Sequence, residues 1–176
     1  MLYMDESGID ASLQRNYARA ERGKQIISDV CGKKIARTSL IAAWIQHTTS
    51  LIAPYVFDGY TDATRFNGWL ETCLLPELRS GQVVVIDNAS FHQSKHTKEI
   101  IESAGCRWLY LPPYSPDFNP IEHIWAVLKA QYKTAKQQGC NHHDAINAAF
   151  LEYLWISMGQ APWYHTFTNY VCQNLR

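Results

Sequence analysis

The stretch that most narrows the folds open to this chain is Val83-Val84-Val85-Ile86-Asp87. Four consecutive β-branched residues show no polar alternation, so the strand they form has to be covered on both faces, as in an α/β sheet with helices on either side. An acid follows at once. A carboxylate is costly to bury without a partner, so Asp87 has to sit at an exposed or paired strand end. A turn in which Asp87 accepts a backbone N–H of Asn88-Ala89-Ser90 satisfies that requirement. So does a functional site, because the loops at the carboxyl ends of α/β strands open around rigidly held side chains.

The remaining patterns build a sheet around this strand. Leu2–Glu6 reads as a short strand ended by Ser7-Gly8. Thr38–Gln46 and Ser50–Phe57 are β-prone runs joined by the polar His47-Thr48-Thr49, which predicts a hairpin. Phe66, Trp69, Leu70, Cys73 and Leu74 recur at helical spacing, predicting an amphipathic helix from about Asp62 to Leu75 that Pro76 ends. Ser94 can cap a helix over Lys95–Ala104 with Gly105 just past its end, and Cys106–Leu111 supplies another strand. Ile121, Ile124, Trp125, Leu128 and Tyr132 mark a helix running to about Gln138, and His142–Met158 a last one. The order of three strands, helix, strand, helix, strand, helix, helix predicts a mixed central sheet of about five strands flanked by helices on both faces. With 176 residues and 47% apolar composition, one domain over 1–176 is expected. The aromatic-rich end, Trp163–Arg176, is expected to pack on the body.

Sixteen basic and sixteen acidic residues cancel, so no global positive field advertises a polyanion, and any nucleic-acid surface has to be local. The five cysteines, at 31, 73, 106, 140 and 172, form no CxxC pair and suit reduced thiols better than disulfides. Cys140, His142 and His143 read as a polar helix start rather than a zinc site, and no third ligand follows His92 and His96 at a motif spacing. No run of about eighteen apolar residues and no signal segment is present, so no membrane association is expected.

The second informative stretch is "LPPYSPDFNPIEHIW", Leu111 to Trp125. Asn119 suits a helix N-cap, Pro120 the first helical position and Glu122 the third, where it would bond back to the cap's N–H. That chemistry accounts for "NPIE" by itself. It leaves unexplained the stiffening by Pro112, Pro113, Pro116 and Pro120, which suits a loop delivering one side chain to a fixed place. If Asp5, Asp87 and Glu122 converge, their oxygens suit hard divalent cations, and a pair of such ions supports in-line phosphoryl transfer. Capping and metal binding by Glu122 are compatible.

In that order, "YMDESG", "VVVIDNASFH" and "LPPYSPDFNPIEHIWAVLK" resemble the catalytic domain of the mariner-type transposase superfamily, most closely its bacterial insertion-sequence branch. The 34 residues between Asp87 and Glu122 (88–121) agree with the interval of the branch whose third acid is glutamate. The resemblance implies an RNase H-like fold and a DDE-type catalytic and metal-binding triad of Asp5, Asp87 and Glu122 with two Mg²⁺ or Mn²⁺ ions. It further implies DNA cleavage at transposon ends and attack of the freed 3′-hydroxyl on target DNA, generally at a TA dinucleotide. Asn88 and His92 match the family's "DNxxxH" pattern, implying a place behind the metal ligands or on DNA; Glu6 and Asp117 are expected to be structural.

Lys129, Lys133 and Lys136 share a helical stripe with Glu122 and Ala126 that suits phosphates leading to the site, and equally an ordinary solvated face. Arg15, Arg19, Arg22 and Lys24 carry the same two readings. The superfamily normally has an N-terminal helix-turn-helix region, and this chain is expected to lack one. End recognition is therefore expected from a separate helix-turn-helix polypeptide or domain, with a possible homodimer on DNA and a nucleoid-associated, cytoplasmic location. Two rival readings are a noncatalytic remnant acting in DNA binding or assembly, which the neutral charge favours, and a different RNase H-like nuclease, which the proline motif disfavours.

Overall fold

A computed structural model of the chain describes residues 1–13, 20–24, 37–48, 51–113 and 115–158. Arg15 and Arg19, Cys31 and Cys172, and the aromatic end of the chain lie outside the described residues. Five strands, β1 (Leu2–Asp10), β2 (Arg37–Ile45), β3 (Leu51–Asp58), β4 (Val83–Ile86) and β5 (Arg107–Tyr110), form one sheet in the order β3-β2-β1-β4-β5. The β1–β2 and β2–β3 pairs are antiparallel, whereas β1–β4 and β4–β5 are parallel. This is the mixed five-stranded sheet that the order of elements predicts.

Helices α1 (Ala63–Trp69), α2 (Lys95–Ser103), α3 (Ile121–Gln137) and α4 (His142–Met158) cover both faces. One core joins Ile9, Leu40, Ala42 and Val56 of the sheet to Ile121, Trp125, Leu128 and Tyr132 of α3 and to Ile146 and Phe150 of α4. The other joins Leu2, Met4, Ile41, Val84 and Ile86 to Phe66 and Trp69 of α1 and to Ile100 and Ile101 of α2. The central strands β1, β2 and β4 are thus covered on both sides, which is why Val83–Ile86 can be apolar throughout.

Three expectations are corrected. Ser7-Gly8 does not end β1, which runs on to Asp10, with Gly8 opposite Ser39. Gly8 serves close approach here, since a Cβ on it would collide with the Arg37 guanidinium crossing the strand. The expected helix Asp62–Leu75 is α1 followed by a π turn at Leu70–Leu74 and a 3₁₀ turn at Leu75–Glu77, the last formed around Pro76. The third correction concerns "NPIE". Helix α3 begins at Ile121 after Pro120, and no side chain caps it. The N–H of Asn119 that a capping box would offer Glu122 is donated to the Pro116 carbonyl at 2.8 Å, and the Asn119 side chain is buried against β1 instead.

The other caps follow the sequence. Asp62 accepts from Arg65 N at 2.8 Å, and Ser94 from Thr97 N at 3.0 Å. Gly105, at φ +69°, follows α2 with its N–H on the Glu102 carbonyl.

Candidate active site

Strand register brings the first two acids together. In the parallel β1–β4 pair, Leu2 lies opposite Val84 and Tyr3 opposite Val85, so continuing two residues sets Asp5 level with Asp87 just past the end of β4. The same pleat phase turns both toward the side on which α3 lies. Glu122, in the first turn of α3, closes the third side. Asp5, Asp87 and Glu122 all line one open pocket of about 380 Å³, together with Asn88, Ala89, Leu111, Pro112, Pro113, Ser115, Pro116 and Asn119. The floor of this pocket is sheet and its wall is the proline loop. Asn119 fastens that wall by donating from Nδ2 to the Met4 carbonyl, at 3.5 Å, next to Asp5.

Each carboxylate has a different environment. Asp5 is buried, 7% exposed, and its Oδ2 accepts from Trp125 Nε1 of α3 at 3.0 Å. Burial and the neighbouring carboxylates of Glu6, Glu122 and Asp87 push its pKa up to about 8. Asp87 is half-buried. Burial raises its pKa, but hydrogen bonds from the His92 ring and the Ala89 N–H outweigh that and hold it below the usual carboxylate range. The Asp87–Ala89 bond, at 3.0 Å, is the turn read from "DNAS", so Asp87 forms the turn and lines the pocket at once. Glu122 is exposed on the pocket rim, in the first turn of α3.

His92 is almost fully buried, at 1% exposure, between the rings of Phe66 and Phe91. Its Nδ1 meets Asp87 Oδ1, and its Nε2 meets Glu6 Oε1 at 2.8 Å. Burial pushes the imidazole down, yet the two carboxylate bonds prevail and raise it to about 9, so the ring is an imidazolium donating from both nitrogens. Asn88 lines the pocket and accepts a hydrogen bond from Gln93 Nε2. Asp117 lies exposed in the loop's 3₁₀ turn, at Pro116–Phe118. Lys129, Lys133 and Lys136 are half-buried along α3, on the stripe that Glu122 and Ala126 begin; none lines the pocket. Arg22 lies exposed, and Lys24 pairs with Glu21 at 2.5 Å on the surface.

Two contributors escaped the sequence reading. Trp125 belongs to the apolar stripe, and nothing in that periodicity announces an indole N–H aimed at Asp5. Glu6 is set down there as merely structural. The available signal was alternation, because an acid inside a strand covered on both faces needs a partner of its own. Of the other histidines weighed as ligands, His96 bonds Glu71 at 2.8 Å, and the ring nitrogens of His142 meet Tyr132 and Thr38 at 2.8 and 2.9 Å.

Among the described residues, no three His, Cys, Asp or Glu side chains are grouped so as to hold a metal ion as they stand. The donor chemistry nevertheless fits a hard divalent cation. The pocket offers oxygen donors from three carboxylates; burial first and then the repulsion of neighbouring acids raise the Asp5 pKa, and a cation among them would relieve that repulsion. No helix among the described residues is long and apolar enough to cross a membrane.

Comparison with known proteins agrees with this architecture. The chain is 33% identical over 88 residues to the Tcb2 transposase of a transposable element of Caenorhabditis briggsae, a match covering 48% of this chain and 32% of that protein. The Mos1 strand transfer complex superposes over 98% of this chain and 52% of the Mos1 chain, with TM-score 0.64 and 16% identity. The catalytic core domain of BIV integrase superposes over 91% of this chain and 84% of that one, with TM-score 0.54 and 14% identity. The chain thus spans about half of Mos1 and shares the RNase H-like fold of transposase and integrase cores. The family model described as "DDE superfamily endonuclease" matches residues 1–141, and with it the strands, the proline loop and the helix that surround the three acids, so the chain belongs to the DDE superfamily endonucleases.

Proposed function

We propose that this chain is the catalytic domain of a DNA transposase, cleaving DNA strands at transposon ends and joining the resulting 3′-hydroxyl to target DNA. The observation that carries the reading is that Asp5, Asp87 and Glu122, from β1, the end of β4 and the start of α3, line one open pocket at the edge of a two-sided core. Asp5 and Asp87 share one side of the site, and Glu122 completes it from the helix. Divalent ions held there, two Mg²⁺ or Mn²⁺ in this reading, would activate the attacking oxygen and stabilise the leaving one. The chain's own part is positional. The strand register fixes two carboxylates, the prolines and Asn119 hold the wall, and the excess negative charge waits for cations.

The kinship with Tcb2 and Mos1 supports DNA as the partner, since the Mos1 structures include paired-end complexes with a transposon end. We assign residues 1–176 to one catalytic domain, with end recognition by a separate helix-turn-helix unit and a dimer on DNA. Asn88 and the stripe of Lys129, Lys133 and Lys136 are the candidates for contact with the DNA backbone, which the neutral net charge leaves to local groups.

Strand transfer from an oligonucleotide with a recessed 3′-hydroxyl, measured in Mn²⁺ with a recognition domain supplied, tests the proposal. Wild-type chain should join strands, whereas Asp87→Ala and Glu122→Gln should lose 100-fold or more, roughly the scale of removing one essential charge at a reacting centre. Because Glu122 makes no capping bond, Glu122→Gln should still fold, and losing its repulsion of Asp5 should change stability by no more than about 1 kcal/mol. Equal joining by wild type and Asp87→Ala would remove the enzymatic reading.

A further inference from the structure

Asp5 and Glu6 are neighbours on β1, so the pleat sends their side chains to opposite faces of the sheet. Asp5 meets Trp125 on the α3 side, while Glu6 meets His92 on the side of Phe66. His92 then reaches Asp87, at the end of the adjacent strand, and so links an acid on the far face to a carboxylate lining the pocket. The ring cannot easily turn. Its exposure is 1%, Phe66 and Phe91 lie 4.3 and 4.2 Å from it, and its own carbonyl accepts from Tyr110 Oη at 2.9 Å. Asp87 Oδ1 is therefore doubly committed, to His92 Nδ1 and to the Ala89 N–H. Oδ2 has no hydrogen bond among the described residues.

The Glu6–His92 pair as a whole need not stabilise the fold, although removing Glu6 alone leaves the His92 Nε2–H buried without its acceptor. Glu6 lies 14% exposed beside Asp5, and its charge works against ionisation of that acid. A buried ion pair is on general grounds no better for stability than well-packed apolar side chains of similar volume. What an apolar residue could not do is accept from His92 Nε2.

We propose that Glu6 is a positioning residue: through the His92 ring it fixes the orientation of Asp87 and presents Oδ2 to a divalent cation in the pocket. The inference rests on the reading of Asp87 as a metal ligand. It deepens that reading by making the site's geometry depend on a residue that does not line the pocket. Such supporting partners of metal ligands typically govern affinity by 10- to 100-fold.

Mn²⁺ alone, titrated into the full chain and followed by the paramagnetic resonance of the free ion, provides the first measurement. Glu6→Leu should weaken Mn²⁺ binding about 10-fold or more. Glu6→Gln, whose Oε1 still accepts from Nε2, should return it to within a few-fold of wild type. Wild-type affinity in Glu6→Leu, or equal losses in the Leu and Gln variants, overturns the proposal. Should Glu6→Leu fail to fold, Glu6→Ser, too short to reach Nε2, takes its place with the same outcomes. The second measurement needs no metal. The thermal shift caused by replacing Glu6 is taken in the wild-type chain and in Asp87→Ala, and a much smaller shift in the latter is expected because the two carboxylates act through one ring. Equal shifts overturn the positioning role. Unchanged Mn²⁺ binding in Asp87→Ala instead marks failure of the metal-ligand reading, and the thermal comparison then decides the role of Glu6 by itself.

Discussion

Asp5 is a carboxylate whose neighbours disagree about its charge. The indole N–H of Trp125, 3.0 Å from Oδ2, favours the ionised form, while burial and three nearby acids oppose it strongly enough to bring the pKa up to about 8. A hydrogen bond to a charged group contributes about 1.5–3 kcal/mol, against about 1 for a neutral pair. Trp125→Phe keeps most of the packing and deletes only the donor and some volume. It should therefore destabilise the chain more at pH 9, where Asp5 is ionised, than at pH 6, where it is not; denaturant midpoints at the two values measure the difference. A pH-independent penalty would mean that Trp125 acts through packing alone. The sequence displays acids plainly, because an acid after Val83–Ile86 or within β1 violates the surrounding pattern. It hides their partners. An indole in an apolar stripe and an acid paired across two elements obey local rules perfectly well, and only the fold brings them to Asp5 and Asp87.

Among elements, the loop into α3 departs furthest from its local reading. The letters Asn-Pro-Ile-Glu fit a capped helix start, yet Pro116–Phe118 forms its own turn and takes the Asn119 N–H, shifting the helix start beyond the position at which Asn119 could cap. Asn119, 4% exposed, spends its side chain on the Met4 carbonyl beside Asp5. The two roles separate by substitution. A capping Asn tolerates Ser, whereas a side chain spanning to another strand does not. Asn119→Ser and Asn119→Ala should both cost about 1–2 kcal/mol in chemical denaturation, the range for losing a buried hydrogen bond. Near-wild-type stability of the Ser variant would restore the capping role. Elsewhere the elements were readable where side chains act on their own backbone. Ser94, Asp62 and Gly105 mark ends by direct bonding or positive φ. The π turn after α1 was not; it seats Leu70 and Leu74 in the core, and no residue in it announces the change of helix type.

Over the whole molecule, the sheet separates two cores, and the site lies where both stop. The mixed five-stranded sheet was legible from the order of elements, but the strand order within it and the convergence of Asp5 with Asp87 needed the β1–β4 pairing, which no single segment encodes. That convergence makes global stability report on both faces at once. Without metal, the folded chain holds one proton on Asp5, on the α3 face, up to about pH 8, and one on His92, on the α1 face, up to about pH 9. Their ordinary values are 3.8 and 6.5, so between about pH 6.5 and 8 the folded chain carries two protons that the unfolded chain has lost. Groups with raised folded pKa values stabilise below their unfolded values and lose that contribution as pH rises, so stability must fall across this window. Asp87, held low, is ionised in both states there and contributes no slope, while His142, also lowered, opposes the fall only near pH 6.5, where the unfolded imidazole still binds protons. The fall should approach about 2.7 kcal/mol per pH unit, the slope for two protons, and Asp5→Asn should halve it to about 1.4. Saturating Mn²⁺ should flatten the wild-type profile in the same sense, because a cation beside Asp5 favours its ionised form in the folded state. Urea unfolding at several pH values, with and without Mn²⁺, measures all three slopes; an Asp5→Asn profile parallel to that of wild type would show that the buried carboxylate is already ionised at neutral pH.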